Sequence, residues 1–394
     1  MREIVSREKC TGCGACNAVC SQNAIHPIAD EEGFRYPKID EDICVDCGLC
    51  RAVCPVFHRQ SDIESGVEKR PLFYAGQLVD KHELFSVSSG GAFWGMAQAI
   101  LRDGGTVYGA VQKNVDSICH EAAEDVSTAA AFKRSKYFQS NIWGLYGRVK
   151  EELENGNEVF FSGTPCQIAG IKSFLNREYS NLTTCEVVCH GVASGSVFER
   201  YRREKETENG SKMTGLVFRD KSRGWKHNHY RISFENGNVC TERSTRNLFH
   251  LGYLLGLFYR PSCGKCPFAS IPRVADISLA DFWKYKGRFD EFRERGISLI
   301  VINSEKGKAV LNRSAEFLDY ERVTEKKALS SCRHLTSHPI ESPLRSVFIR
   351  DVVEYGYYHA AKRFFIREKV RFGFNKVSGK IRDIIHKDRK NEGF

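Results

Sequence analysis

Sixteen cysteines stand in this chain of 394 residues, and eight of them fall in two short runs near its start. The runs are Cys10-x2-Cys13-x2-Cys16-x3-Cys20 and Cys44-x2-Cys47-x2-Cys50-x3-Cys54-Pro55. Three thiolates at two-residue gaps wrap one face of an iron-sulfur cube, and a fourth, three residues on, points away and reaches the opposite cube. That rule assigns Cys10, Cys13, Cys16 and Cys54 to one 4Fe-4S cluster, and Cys44, Cys47, Cys50 and Cys20 to another. Structural zinc wants separated Cys-x2-Cys pairs rather than triplets, and a disulfide framework belongs to small secreted domains. The spacing therefore speaks for electron carriage. Ser21 stands where the first run would carry the proline that follows the second, which costs a rigid turn and no ligand.

Four of the remaining cysteines also sit in settings suited to ligation. Cys166 lies in Gly163-Thr164-Pro165-Cys166-Gln167 between an expected strand and an expected helix, and Cys189 precedes His190-Gly191 at another expected strand end. Cys263 and Cys266 form a Cys-x2-Cys behind Arg260-Pro261-Ser262. Spacing alone supports zinc, a third cluster or a redox dithiol, and free cysteine is also a common core residue. Cys119, Cys185, Cys240 and Cys332 read as ordinary buried thiols, with Cys185 as the substitute ligand because it shares a strand face with Cys189.

Other segments suggest an organic cofactor. Ser88-Ser89-Gly90-Gly91 precedes an apolar-periodic helix, so free N-H groups and hydroxyls would face outward at a positive helix end, a seat for phosphate or simply a capped loop. Arg134 to Ser140 mixes basic, aromatic and amide groups that suit a dinucleotide, as they suit a solvated helix start. Asp276 and Asp281 flank Ile277 to Ala280, where either can cap a helix.

The elements that must position these groups follow from the apolar pattern. Residues 1–60 form a two-cluster 4Fe-4S module, Ser61 to Pro71 is a polar linker, and a mixed-sheet α/β body begins near Leu72. Strands are expected at Thr106 to Val111, Val159 to Ser162, Val187 to Cys189 and Ile277 to Leu279, and helices at Phe93 to Leu101 and Ile168 to Leu175. Arg231 to Phe234 and Val239 to Thr241 flank Glu235-Asn236-Gly237-Asn238 as a hairpin, its Asn-Gly pair suited to positive φ, which argues for a mixed sheet.

The net charge of +10 is concentrated in residues 361–394, which hold 11 Lys or Arg against 4 Asp or Glu. The body is nearly neutral and carries no nucleic-acid-binding motif. The longest nearly uncharged apolar stretch, Leu248 to Tyr259, is shorter than the roughly 18 residues that suggest a spanning helix. Sixteen cysteines behind a short, charged amino terminus without an apolar signal segment fit a reducing cytoplasm. Ile366, Val370, Phe374, Val377, Ile381 and Ile384 recur at helical steps between basic residues, so residues 341–394 are expected as a basic helical tail. Such a tail docks on the body or lies on an anionic membrane face.

Taken in order, Ser88-Ser89-Gly90-Gly91, Ser135-Lys136-Tyr137, Gly163 to Gln167, Cys189-His190-Gly191, Arg260 to Cys263 and Ala275 to Trp283 resemble the coenzyme F420 hydrogenase/dehydrogenase beta-subunit family. The resemblance spans about residues 72–340, divided at 152/153 into N-terminal-like and C-terminal-like parts, and with the ferredoxin module it resembles the long form. It implies FAD and a third 4Fe-4S cluster held by Cys166, Cys189, Cys263 and Cys266. It further implies cofactor contacts from Ser88, Ser89, Gly90, Gly91, Lys136, Tyr137, Thr164, Pro165, Gln167, Gly191 and Asp281. Ala280 and Lys284 stand where the family usually has glycine.

The expected activity is an oxidoreductase that takes electrons from reduced ferredoxin or a partner subunit and passes them to FAD and a small organic substrate. The reverse direction is equally compatible with these residues. Family members near bacterial polysaccharide biosynthesis functions suggest that setting. A non-catalytic electron-transfer subunit and a coenzyme F420 oxidoreductase are the alternatives. His190 is the candidate proton donor, because imidazole titrates near neutral pH, although a histidine here can also merely hold its loop.

Overall fold

The computed structural model describes residues 3–57, 71–227 and 229–371. In the amino-terminal module, strands β1 (Ile25–Ala29) and β2 (Arg35–Ile39) pair antiparallel, and single helical turns span Ala15–Ala18 and Leu49–Ala52. Gly14 and Gly48 precede those turns at φ of 83° and 74°. That left-handed step, cheap only for glycine, bends each cysteine triplet between its second and third thiol.

The body is organised by one eight-stranded sheet. Its strands are β3 (Leu72–Leu78), β4 (Thr106–Gln112), β5 (Ile118–Ala123), β6 (Val159–Gly163), β7 (Leu182–Val187), β11 (Ile277–Asp281), β12 (Ser298–Ile302) and β13 (Leu318–Val323). They lie in the order β13-β3-β12-β11-β7-β6-β4-β5. Four neighbouring strands, β11, β7, β6 and β4, run parallel, while all other pairings are antiparallel. Every residue of β12 is buried, as a strand covered on both faces must be. The sheet draws strands from both sides of residue 152, so those halves share one core.

Three expectations change in detail. The hairpin forms, as β9 (His229–Phe234) and β10 (Val239–Arg243), but it joins β8 (Met213–Asp220) in a separate antiparallel sheet. The mixed character of the main sheet comes instead from its flanking strands. In the hairpin turn only Gly237 takes positive φ, at 84°, while the Asn236 side chain accepts the Asn238 N–H at 3.0 Å. The strand expected at Val187 to Cys189 runs instead over Leu182–Val187, with Val188 still donating to the Leu279 carbonyl at 2.8 Å, which leaves Cys189 in the loop beyond.

The module is seated on the body by buried and half-buried bonds. Tyr146 donates to the Cys13 carbonyl at 2.9 Å, Ser173 to that of Val53 at 2.7 Å, and Ser194 to that of Glu32 at 2.7 Å. Arg345 pairs with the Glu32 carboxylate from the start of the helix Arg345–Tyr355. That helix and the next, Tyr357–Arg371, bury Phe348, Val352, Tyr357, Ala360 and Ala361 against the body. The rest of the expected amphipathic tail, from Phe374 to Ile384, lies outside the described residues, as does most of the 61–71 linker. Among the described residues no helix is long and apolar enough to cross a membrane.

Candidate functional site

Parallel strands deliver their ends to one rim, where open α/β sheets collect ligands. After β6, Thr164 caps the helix Pro165–Leu175 through a reciprocal capping box with Gln167, which fixes Cys166 in the first helical turn. Two residues past β7 stands Cys189, and the turn Pro261–Lys265 brings Cys263 and Cys266. The Cys189 thiol feels Cys263, Cys166 and Cys266, and the Cys266 thiol feels Cys166 and Cys263, so side chains from three distant segments converge.

The module presents its own groups next door. Cys16 is surrounded by Cys13, Cys10 and Cys54, and Cys50 by Cys44 and Cys47, while Cys20 packs on the same small apolar core as Cys44 and Cys50. Cys13 lies beside Cys166 as well as Cys54 and Cys10, because Gly170 lets the helix approach it. A Cβ on Gly170 would lie 2.9 Å from that of Cys13. Burial, then for Cys13 its neighbouring thiols, pushes the Cys13 and Cys263 thiols up to about 12. Their ionisation therefore waits on a counter-charge such as iron.

Two orphaned groups fit sulfur-rich ligands at these places. The buried Tyr259 hydroxyl, which feels Cys263 and Cys189, and the buried Thr11 hydroxyl, adjacent to Cys10, find no hydrogen-bond partner. Among the described residues no three His, Cys, Asp or Glu side chains close on a single ion. Zinc would draw four ligands to about 2.0–2.3 Å of one point, whereas a cube gives each thiolate its own iron.

Cys189 also belongs to the wall of a cavity of about 1190 Å³. Ser162 to Thr164, Glu186 to Cys189 and Leu279 to Asp281 line its floor, and Ser88, Ser89, Gly91 and Arg134 to Ser140 line one side. Glu186 and Asp281 are its acidic lining groups, and they pair with Arg273 and Arg219 respectively. Against them stand Lys133, Arg134, Lys136, Lys226, Arg243, Arg246 and Arg333. This excess of positive charge and the volume suit a dinucleotide with its diphosphate, and the buried His120 Nδ1 in the wall lacks a partner.

The expected cofactor residues separate into several roles. Ser88 shares a 2.8 Å hydroxyl contact with Ser135. Gly91, at φ 81°, caps the helix Ala92–Arg102. Gly90 does not line the cavity: a Cβ there would fall 2.2 Å from the Gly76 carbonyl, so it serves strand-to-loop packing. Pro165 is likewise outside the lining and starts its helix. Ser89, at φ 51°, is held by its hydrogen bond to Asp281 and by Lys221, which donates to its carbonyl at 2.8 Å. Lys136 donates to the Ala131, Phe132 and Lys133 carbonyls at 3.1, 3.0 and 2.8 Å, so its charge shapes the loop.

Asp281 is committed too. It accepts from Arg219 at 2.6 and 3.0 Å and from Trp225 at 3.2 Å. Thr164 and Gln167 spend their polar atoms mainly on the capping box and on Ser140, although both line the cavity. Tyr137 packs edge-on against Phe218, and Gly191, at φ 91°, lies under the Tyr259 ring.

His190 does not suit a neutral-pH acid. Its ring stands 4.3 Å edge-on from His334 and 5.7 Å from Tyr253. Burial first, then His334 and Arg333, pulls it down to about 4, so the imidazole is neutral at pH 7. Cys185 is no substitute ligand: its thiol sits in the sheet core beside Glu186 and Asp276, away from the converging four. Cys119, Cys240 and Cys332 are only partly buried, and Cys332 lines the cavity. Ala280 lines the cavity without hindrance, and Lys284 turns outward to the Ser330 carbonyl at 2.7 Å.

Several groups carry no local sequence signal for the site. Arg219, Trp225, which stacks on the motif residue Trp283 at 4.2 Å, and Arg243 with Arg246 come from β8, a short turn and the hairpin end.

Among known proteins, residues 156–326 match the family described as the carboxyl-terminal part of the coenzyme F420 hydrogenase/dehydrogenase beta chain. Residues 9–57 match the 4Fe-4S dicluster domain. Among solved structures, a chain of the xenon-derivatised F420-reducing NiFe hydrogenase complex from Methanosarcina barkeri is 15% identical, with a TM-score of 0.45. That likeness covers 79% of this chain and 96% of the other. No curated protein sequence matches.

Proposed function

The chain belongs to the coenzyme F420 hydrogenase/dehydrogenase beta-subunit family, in the long form that opens with a 4Fe-4S domain, and from that we propose an iron-sulfur flavoprotein that couples one-electron and two-electron chemistry. Iron-sulfur cubes exchange single electrons, while a flavin can exchange a hydride with an organic substrate. We assign Cys44, Cys47, Cys50 and Cys20 to the outer cube, Cys10, Cys13, Cys16 and Cys54 to the next, and Cys166, Cys189, Cys263 and Cys266 to a third. FAD is assigned to the cavity.

Support comes above all from one juxtaposition: the third set of thiols lies beside Cys13, with which Cys166 shares an apolar cluster, and contributes Cys189 to the cavity wall. The residues then divide the work. Cys47, exposed on the module surface, is where a reduced ferredoxin or partner subunit would exchange electrons. The basic lining holds the diphosphate and an organic substrate. Loop contacts from Lys221 and Asp281 keep Ser89 in place at the helix end. Because His190 is neutral, we assign it to the packing of its loop, and the proton comes from solvent or substrate.

Anaerobic reconstitution tests this directly. Protein with all three centres should carry about twelve irons, and Cys166→Ser should lose about four with the others intact. FAD should copurify and bleach with dithionite or reduced ferredoxin. About eight irons beside full flavin would remove the third cluster, and zinc at that place would make it a structural staple. A flavin that bleaches yet never reoxidises with organic acceptors, coenzyme F420 included, would favour a subunit that only wires a partner.

A further inference from the structure

Two arginine side chains are among the most deeply buried in the body, each 1% exposed, and they differ in one respect. Arg273 is neutralised by Glu186. Arg260 donates to the carbonyls of Cys10 at 2.8 Å and Arg35 at 3.0 Å and to the Gln139 amide oxygen at 2.9 Å. Its fourth contact is the Cys10 sulfur at 3.6 Å. These acceptors include no carboxylate. The guanidinium also lies 4.2 Å above the Tyr36 ring, and Gly12 keeps its space, since a Cβ there would fall 2.9 Å from Nη1.

A buried cation without a counter-charge is expensive, costing several kcal/mol even after relaxation. Apart from the Tyr36 phenol, which burial pushes up to about 12, the groups near Arg260 able to become anionic are cysteines. The Arg260 guanidinium is bonded to the Cys10 sulfur, and the Arg260 carbonyl accepts the Cys263 N–H at 2.9 Å, which ties it to the other set of thiols. On the assignment of three centres made above, the guanidinium stands between two of them.

We propose that Arg260 is a shared counter-charge for the Cys10–Cys13–Cys16–Cys54 centre and the Cys166–Cys189–Cys263–Cys266 centre, raising the reduction potential of both relative to the outer centre. Each added electron makes a thiolate-bound cube more negative, and a fixed buried cation favours that state because the surroundings screen it poorly. One electron leaves one centre and arrives at the other, no bond is made or broken, and no proton is required. Arg260 is thus a tuning and positioning residue. Gln139, which also donates to the Thr11 carbonyl at 2.8 Å, orients the fork.

The test is an EPR-monitored redox titration of the full, iron-loaded chain. Arg260→Gln should lower the midpoints of those two centres by about 59 mV or more, a tenfold change in a one-electron equilibrium, and leave the Cys20–Cys44–Cys47–Cys50 centre in place. Arg260→Lys, which keeps the charge and loses the fork, should stay nearer wild type than Gln. Unmoved midpoints at full iron content, equal movement of all centres, or Lys behaving as Gln would overturn the proposal.

Should Arg260→Gln lose iron, Gln139→Glu decides. It sets a carboxylate against the guanidinium, so the same two midpoints must fall, and unchanged values refute the idea. A wild-type count near eight irons would instead refute the third centre. The Cys10 centre must still shift for Arg260 to keep its role.

Discussion

Asp281 holds together the floor of the cavity with one carboxylate, accepting from Ser89, Arg219 and Trp225. Burial alone would raise its pKa, yet the Arg219 charge and these bonds hold it below the usual carboxylate range. Removing the carboxylate leaves Arg219 buried without a counter-charge, which typically costs about 3–5 kcal/mol. Asp281→Asn should therefore lose stability of that order in urea titrations at pH 7. The sign of its pH dependence follows from the lowered pKa: the contribution is present above the unfolded value near 4 and is lost as pH falls through the folded value. The gap between wild type and Asp281→Asn should close in acid, and a gap that stays constant would rule out the ion pair. For His190, held near 4, His190→Gln should leave the pH profile of any substrate reduction unchanged between pH 6 and 8. A lost limb in that window would restore it as an acid.

The helix Pro165–Leu175 is the element on which the proposed electron path turns. Its apolar pattern announces it from Ile168 on, and in the structure Thr164 and Gln167 make a capping box that starts it at Pro165. Removing the cap by Thr164→Ala should cost about 1 kcal/mol and disturb Cys166, whose sulfur the threonine hydroxyl meets at 3.2 Å. Its close approach to Cys13 had no sequence signature, since Gly170 looks like any helical glycine. Gly170→Val should destabilise by about 1–3 kcal/mol through overpacking and should perturb the EPR signal of the Cys13 centre. A variant with wild-type stability and spectrum would show that the two elements do not meet there.

Across the whole molecule, iron and fold should be coupled, because module and body are joined through the cysteine segments themselves. Anything that binds only the native state stabilises it by mass action. Iron-stripped protein should melt at lower temperature than loaded protein, and loaded Cys166→Ser, which holds one centre fewer, should melt between the two. Equal melting of stripped and loaded forms would mean that the centres are bystanders to stability. The cationic cavity makes a second prediction at this scale. Flavin affinity should fall as salt is raised, since exposed charges are screened while apolar contacts are not.

What the sequence determined by itself was whatever depends on neighbours along the chain. Each amino-terminal cysteine triplet spans seven residues, so covalent spacing alone turns its thiols toward one point, and the dicluster domain was legible before any fold. The apolar bodies of two helices and most of the main strands were legible for the same reason: their signals repeat every few residues. Only the tertiary structure could bring Cys166, Cys189, Cys263 and Cys266 together, because spatial strand order departs from chain order and β11 lies beside β7 across most of a hundred residues. The same long-range packing spent Asp281, Lys136 and Gly90 on internal bonds and close contacts, and it lowered the pKa of His190 by burial. It also set Arg260 against Cys10, from distant parts of the chain, where a guanidinium without a carboxylate needs an anion that local sequence cannot reveal.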